Sequence, residues 1–446
     1  MKHATATATA NEGLVRVIGA GALGLGVMNL VVGAGIFVLP GRIAAELGPA
    51  AILAYLICGL AVALVFLCFA EVGSRVTRSG GTYAYIEEAF GPYAGFVASV
   101  LFWFGFSALA DAAITVAMVE VMATVFPILG SSIPRALFIL GLFLFMALVN
   151  IRGARAGMRL VVINTLVKLI PLVLLLVVGL FAINGVNLSI SEWPSVGELG
   201  AGVIILFFAF GGAEGALSVS GEIKRPSRTV PLGLLYGIGG LLVLYVGLQT
   251  VAQGVLGPQL AAETDAPLTA VAVAVFGDWG GRLLLAGLVF SIYGALSGDM
   301  LATPRVIYAS ARAGNLPPIL ARVHPTYKTP YVAVIFLAVV VCAFALTGTF
   351  RYLAVFATGS LLLIDLGVIL AVPRLRARDG LPGPGQFRLP FGLLIPVLSG
   401  LLIGWMLLQV PAGEAMSVAG LIVVTTIYYV LRRRSHRPAA GGAPGI

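Results

Sequence analysis

Long apolar stretches separated by short polar gaps make up most of the chain. A helix needs about 20 mostly apolar residues to cross a bilayer, and the stretches suit that length. Short runs of alternating apolar and polar residues, typical of membrane β-barrel strands, are not seen. The pattern therefore predicts twelve spanning helices, near residues 17–40, 49–70, 94–126, 135–150, 157–183, 199–220, 230–253, 282–311, 331–347, 350–372, 389–410 and 413–431.

The composition agrees with a membrane protein. Of the 446 residues, 60% are hydrophobic and 10% are charged, whereas a soluble domain carries roughly 25% charged residues. We therefore expect an all-α polytopic membrane protein with a single transmembrane domain over residues 15–432. Residues 1–14 and 433–446 are expected to be cytoplasmic tails, the first of them disordered. The first span is too long for a signal-peptide core and should be retained.

The positive charges predict the orientation. Most of the 27 Lys and Arg residues fall in alternate gaps between spans, and the opposite gaps hold only Arg42, Arg135, Arg282 and Arg351. This asymmetry predicts that both termini lie in the cytoplasm. The membrane is expected to be the cytoplasmic (plasma or inner) membrane. The asymmetry also accounts for the net charge of +9 through contact with lipid, so nucleic acid is not expected as a partner.

Neither a metal site nor a cofactor is predicted. The three cysteines, Cys58, Cys68 and Cys342, lie in apolar spans without metal-ligand spacing. The chain lacks the glycine-rich loop that binds ATP phosphates. The three histidines lie in the tails and in a loop, so an embedded enzyme with a nucleophile and a base is disfavoured.

Two spans are interrupted by clustered small residues. The first contains Gly33-Ala34-Gly35, and the sixth contains Gly211-Gly212-Ala213-Glu214-Gly215. Glycine permits an unwound turn, although small residues also allow close helix packing. These two spans are the first of two five-span halves, spans 1–5 and 6–10. Because each half has an odd number of spans, the second half enters the membrane from the opposite side. Interrupted spans at matching places in inverted halves indicate a transporter's binding site.

Several loop motifs accompany these breaks. They are Arg78-Ser79-Gly80-Gly81-Thr82-Tyr83, Gly221-Glu222-Ile223-Lys224-Arg225-Pro226 and Arg312-Ala313-Gly314-Asn315-Leu316-Pro317. With them the chain resembles the amino-acid permeases of the APC (amino acid–polyamine–organocation) superfamily, from about residue 17 to about residue 410. The resemblance implies a LeuT-type five-plus-five inverted repeat with two extra helices, and substrate between spans 1, 3, 6, 8 and 10. Many relatives have a proline two residues before the Ser-Gly-Gly of the first motif, where this chain has Thr77.

The two breaks predict how a substrate is held. An unwound helix exposes backbone groups, and a half-helix start with free N–H groups suits a carboxylate. We expect Gly33, Ala34 and Gly35 to bind a substrate carboxylate. Freed carbonyls should bind an ammonium group at the second break, over Ala209, Phe210, Gly211 and Gly212. By resemblance, Phe208 is an aromatic gate over the substrate.

Lys168 is the basic residue deep inside a span. It lies about 11 residues from the inner end of span 5, roughly 16 Å deep and near the midplane. An intramembrane cation is a functional hypothesis by default. The resemblance implies a lysine that takes the place of a sodium ion and bridges the first break and span 8. Proton coupling through Lys168 and a fixed structural cation both stay open.

Five further acids lie within spans. Glu214 falls in the second break, where the resemblance implies proton coupling, although a carboxylate there would also cap freed amides. Asp111 in span 3 is a candidate pocket residue, whereas Glu120 is near enough to the outer surface to be solvated. Asp299 and Asp365 are candidates for an inner-gate network with Arg305 or with each other.

The function predicted from the sequence is secondary active transport of amino acids by alternating access, proton-coupled or sodium-independent. Small residues at both breaks and an aromatic rim favour neutral, apolar substrates. An amine or polyamine carrier is the first alternative, because Glu214 or Asp111 would supply a carboxylate to a dication. An amino-acid exchanger and a membrane nutrient sensor are the others.

Overall fold

The computed structural model describes residues 18–76, 81–152, 157–217 and 223–435. Within these ranges the chain forms sixteen α-helices joined by short turns, and no β-strand is found there. The helices are α1 (Ala20–Val31), α2 (Gly35–Leu47), α3 (Ala51–Arg75), α4 (Gly81–Phe90), α5 (Pro92–Val100), α6 (Leu109–Val125), α7 (Ser132–Arg152), α8 (Gly157–Gly179), α9 (Val196–Phe208), α10 (Pro226–Leu256), α11 (Pro267–Phe276), α12 (Asp278–Arg312), α13 (Tyr331–Thr347), α14 (Phe350–Asp379), α15 (Leu394–Leu408) and α16 (Ala412–Ser435).

This architecture is that of a polytopic membrane protein. Eight helical stretches in the described ranges are long and apolar enough to cross a bilayer, and five shorter apolar helices accompany them. Large apolar side chains are exposed on the outer helices, for example Ile133, Leu137 and Leu144 on α7, as expected for contact with lipid tails. The twelve spans and the inverted repeat stay predictions. The tail at 1–14 lies outside the described residues, and α16 continues past the predicted boundary at 432.

The central helices carry the interior of the protein. Helix α1 packs against α8, α10 and α12, while α14 packs against α3, α6 and α9. The residues of α14 are buried over most of its length. This arrangement brings the interrupted helices together with α6, α12 and α14, which are distant in sequence.

A π-helical segment interrupts the third predicted span. Residues Leu101–Ala108 lie between α5 and α6 and form i→i+5 turns without a break in the helix axis. A π-helical turn widens the helix and shifts the facing of the residues that follow, and such turns occur often at functional sites. The predicted span near 94–126 corresponds to one helical stretch, Pro92–Val125, and the π-helical segment within it was not predicted.

A buried ion pair joins α3 to α14. Arg376 donates from Nε to Oε1 of Glu71 at 2.7 Å and from Nη2 to Oε2 at 2.6 Å. The backbone N–H of Leu389 donates to the same Oε2 at 2.8 Å. Because both side chains are almost fully buried, this bidentate pair fixes the ends of two helices and the segment before α15.

We predict that Arg376→Ala destabilises the protein, because it leaves the Glu71 carboxylate buried without its cation. Breaking a buried pair in this way costs about 3–5 kcal/mol. The measurement is thermal unfolding of detergent-purified protein. The control is Arg374→Ala, since Arg374 lies on the same helix and is exposed. Equal unfolding temperatures for the two variants would contradict a stabilising role for the pair.

Candidate functional site

Both interrupted helices end at the predicted positions. Helix α1 ends at Val31 and α2 begins at Gly35, so the first span is unwound over the residues between them. Helix α9 ends at Phe208, and a turn leads to a short 3₁₀ helix over Ala213–Leu217. The predicted interruptions are therefore confirmed, and peptide groups near both breaks lack the partners that a continuous helix would give them.

Two glycines are required by the geometry of these breaks. A Cβ atom on Gly35 would lie 2.7 Å from the Cβ of Ala209, so the two unwound segments touch at this point. Gly212 has a φ of +108°, which L side chains rarely adopt. The small residues thus allow close approach at the first break and a left-handed turn at the second.

Lys168 binds the carbonyls of the first break. Its Nζ donates to the carbonyl oxygen of Asn29 at 2.5 Å and to that of Val32 at 2.7 Å. Ser291 on α12 donates from Oγ to the same Val32 oxygen at 2.9 Å. The side chain of Lys168 is fully buried. Helices α8 and α12 therefore both reach the first break, and their donors meet on one carbonyl.

Tyr245 on α10 connects the two breaks. Its buried hydroxyl lies 3.1 Å from the carbonyl oxygen of Val31 and 3.1 Å from that of Ala209, and donates toward both. The ring of Phe210 packs on the ring of Tyr245 at 4.9 Å between centroids. Sequence reasoning missed Tyr245, since a tyrosine in an apolar helix gives no sign of its distant partner.

A cavity of about 120 Å³ lies between the two breaks and the helices α6 and α12. Nine of the residues predicted for the site line it: Gly33, Ala34, Gly35, Asp111, Phe208, Ala209, Gly211, Gly212 and Asp299. The remaining wall comes largely from the π-helical segment, through Phe102, Phe106 and Ser107, and from α12. No sequence pattern indicated the π-helical contribution.

Four of the predicted residues do not line this cavity. Phe210 packs behind it on Tyr245, and Lys168 lies behind the first break. Glu214 accepts a hydrogen bond from the backbone N–H of Gly212 at 3.0 Å, so its carboxylate caps the second break. Asp365 on α14 is buried and lies within electrostatic range of Glu214, and its Oδ1 has no hydrogen-bond partner.

The acids are grouped differently from the expected inner-gate network. Asp299 accepts from Ser107 Oγ at 2.5 Å and from Thr303 Oγ1 at 2.9 Å, and its carboxyl group is in hydrogen-bonding contact with that of Asp111. Arg305 donates to the carbonyl of Leu301 on its own helix. The structure thus places Asp299 beside Asp111, whereas Asp365 lies within electrostatic range of Glu214.

Aromatic and charged side chains surround Phe208, which lines the cavity. The Phe208 ring packs edge-on against Phe350 at 5.7 Å between centroids. The Arg42 guanidinium lies 4.3 Å from the centroid of Phe350 and donates to Glu120 Oε2 at 2.9 Å. Glu120, expected near the outer surface, has a partly exposed side chain in this ion pair. Helices α2, α6, α9 and α14 are therefore connected over Phe208.

Comparison with known proteins finds similarity to membrane transporters. A family model described as "Amino acid permease" matches residues 22–431. The serine/threonine exchanger SteT of Bacillus subtilis is 29% identical over 70% of this chain and 72% of its own. The methylthioribose transporter of the same organism is 27% identical over 96% and 95% of the two chains. The cadaverine/lysine antiporter of Escherichia coli is 26% identical over 66% of each chain.

We predict that Gly35→Ala disrupts the site without unfolding the protein. The added Cβ would collide with Ala209, and overpacking of this kind costs about 1–3 kcal/mol. Ligand binding and uptake should fall about tenfold or more, as read from binding isotherms and from uptake into proteoliposomes. The control is Gly26→Ala on α1, where a Cβ would meet no atom within 4 Å. A Gly35→Ala variant as active as Gly26→Ala would show that the breaks need no close contact.

Proposed function

The chain belongs to the amino acid permeases of the APC superfamily, a family of transporters and not of enzymes, and from this premise we propose that it is a secondary active transporter of amino acids. It would move its substrate across the cytoplasmic membrane by alternating access, with both termini in the cytoplasm. The observation that carries the proposal is the cavity bounded by both helix breaks.

The cavity supports recognition of the α-amino acid head group. Ala34 and Gly35 lie at the start of α2, where the first N–H groups of a helix have no intrahelical partner and the helix dipole favours a carboxylate. Gly33 also lines the cavity, but its N–H already donates to the Val31 carbonyl at 2.8 Å. Ala209 of the second break also lines the cavity and lies against Gly35, and its carbonyl oxygen is the candidate acceptor for the ammonium group. It already accepts from Tyr245, but a carbonyl oxygen has a second lone pair. A zwitterion would therefore meet a donor wall and an acceptor wall, both made of main-chain groups.

The preference for a neutral, apolar side chain is supported by the rings of Phe102, Phe106 and Phe208 in the cavity wall. It is opposed by Asp111 and Asp299 in the same wall. The two carboxyl groups favour, as a second candidate, a carrier whose substrate bears an amine. The antiporter from E. coli, whose name includes cadaverine and lysine, is compatible with either an amino acid or a diamine.

We propose that transport is coupled to protonation of Lys168 and not to binding of a sodium ion. Its ammonium group lies between α8 and the first break. There it donates hydrogen bonds to the carbonyl oxygens of Asn29 and Val32 and places a positive charge beside them. Loss of its proton would remove the positive charge that strengthens these two hydrogen bonds and so alter the relative stability of the transport conformations. Glu214, which caps the second break, is the second candidate for coupling.

A screen of purified protein tests the transport proposal. Thermal shifts with the twenty amino acids and with common polyamines identify ligands, and the best ligands are then assayed for uptake into proteoliposomes with and without a pH gradient. We expect saturable uptake of at least one amino acid that is absent from protein-free liposomes. Binding without uptake would instead favour a sensor, and uptake of amines alone would favour an amine carrier.

We predict that Lys168→Ala keeps substrate binding but loses accumulation driven by a pH gradient, because the substrate contacts main-chain groups and not the lysine. The measurement is uptake into proteoliposomes beside a binding isotherm. The control is Lys328→Ala, since Lys328 lies in an exposed loop. Accumulation equal to that of wild type would reject the coupling assignment. If the variant loses both substrate binding and thermal stability, Lys168 is instead a fixed structural cation.

A further inference from the structure

The carboxyl pair Asp111–Asp299 has an acceptor that the protein leaves unused. Asp299 is satisfied by the hydroxyl groups of Ser107 and Thr303. Asp111 is 5% exposed, and its Oδ2 atom has no hydrogen-bond partner. Both residues line the cavity. Leaving a buried polar group without a partner is costly, so this oxygen indicates a ligand group that donates to it.

No protein cation neutralises the pair within the part of the chain that the structure describes. The ion pairs found there use other acids, namely Glu46, Glu71, Glu88, Glu120 and Asp379. Lys168 binds carbonyls of the first break, and Arg305 donates to its own helix. Because two carboxyl groups in hydrogen-bonding contact share one proton, the pair keeps a single negative charge. A buried negative charge without a counter-charge is unfavourable, so a cation is the ligand that suits this place.

The pair lies too far from the first break to bind the α-ammonium group of the same substrate. Ser291 on α12 contacts Val32 and so marks the level of the break. Asp299 lies eight residues further along the continuous helix α12, which is about 12 Å along the axis. The carboxylate and ammonium of an α-amino acid head group are much closer together. The pair is therefore reached by the far end of a long side chain.

We propose that Asp111 and Asp299 form a subsite for a side-chain ammonium group, so that the substrates are α-amino acids with a long amine-bearing side chain, such as lysine. This inference rests on the proposed function and narrows its substrate class. It replaces the apolar preference predicted from the sequence. Three N–H donors on one ammonium can satisfy Asp111 Oδ2 and bridge to Asp299.

The wall between the head-group site and the carboxyl pair suits an alkyl chain. Ala295, which lies between Ser291 and Asp299 on α12, is small, and the ring of Phe106 lies beside Gly211 of the second break. The methylene stem of a lysine packs well on apolar surface while its charged end finds polar partners. The aromatic residues that suggested an apolar substrate would thus contact the stem.

The test compares lysine with norleucine, which has a similar alkyl side chain and no amine. Binding isotherms are measured on the full-length purified protein, wild type and the variants Asp111→Asn, Asp299→Asn and Asp278→Asn. The last is the control, because Asp278 is exposed at the start of the same helix as Asp299. We expect wild type and Asp278→Asn to bind lysine at least tenfold more tightly than norleucine. Asp111→Asn should bind the two ligands equally, through loss of lysine affinity alone.

The other possible outcomes separate failure of the ammonium subsite from failure of the proposed transport function. Norleucine binding as tightly as lysine to wild type, or Asp111→Asn weakening both ligands equally, would overturn the ammonium subsite while leaving amino-acid transport intact. If Asp111→Asn does not fold, Ser107→Ala is measured in its place. The subsite is then overturned if Ser107→Ala and Asp299→Asn both keep the preference of wild type for lysine over norleucine. Cadaverine binding as tightly as lysine would keep the subsite and reject carboxylate binding at Gly33–Gly35. Uptake of no amino acid or diamine would reject the proposed function itself.

Discussion

The structure depends on how the peptide groups freed by two interrupted helices are satisfied. In an apolar medium each unpaired N–H or C=O group costs several kcal/mol, so a break persists only if other groups supply partners. Here Lys168 and Ser291 donate to the carbonyls of the first break, and Tyr245 donates to one carbonyl from each. Peptide groups at the start of α2 face the cavity. The partners on α8, α10 and α12 therefore hold the backbone open for a ligand.

The few polar side chains inside this apolar protein fall into two kinds. Some are matched within the protein, as Glu71 is by Arg376 and as Glu214 is by the amide of Gly212. Others keep an unpaired atom beside a cavity or another acid, as Asp111 and Asp365 do. The first kind fixes helices in place. The second kind is costly to the empty protein, and a ligand or proton that satisfies such an atom is bound more strongly because of that cost.

Sequence patterns predicted those parts of the site that arise from local chemistry. Clustered glycines permit an unwound turn wherever they occur, and a lysine in a long apolar run stands out by its charge, so both breaks and Lys168 were predicted. The pairing of Asp111 with Asp299 and the reach of Tyr245 to Val31 depend on which helices become neighbours, and single residues carry no sign of that. For the same reason the contacts of Asp299 with Ser107 and Thr303 could not be predicted. Helix existence followed from apolar length, whereas the π-helical segment left no trace in hydropathy.

That segment controls which side of the third span points inward. Residues Leu101–Ala108 contain an expanded turn, and Asp111 follows it by less than one turn of helix. Each residue of an α-helix advances the facing direction by about 100°. Removing one amino acid here would restore the ordinary winding and swing Asp111 away from the hollow while the two flanking stretches kept their axes. Selectivity in such a protein is therefore open to revision by an insertion or deletion event, and not only by exchanging one side chain for another.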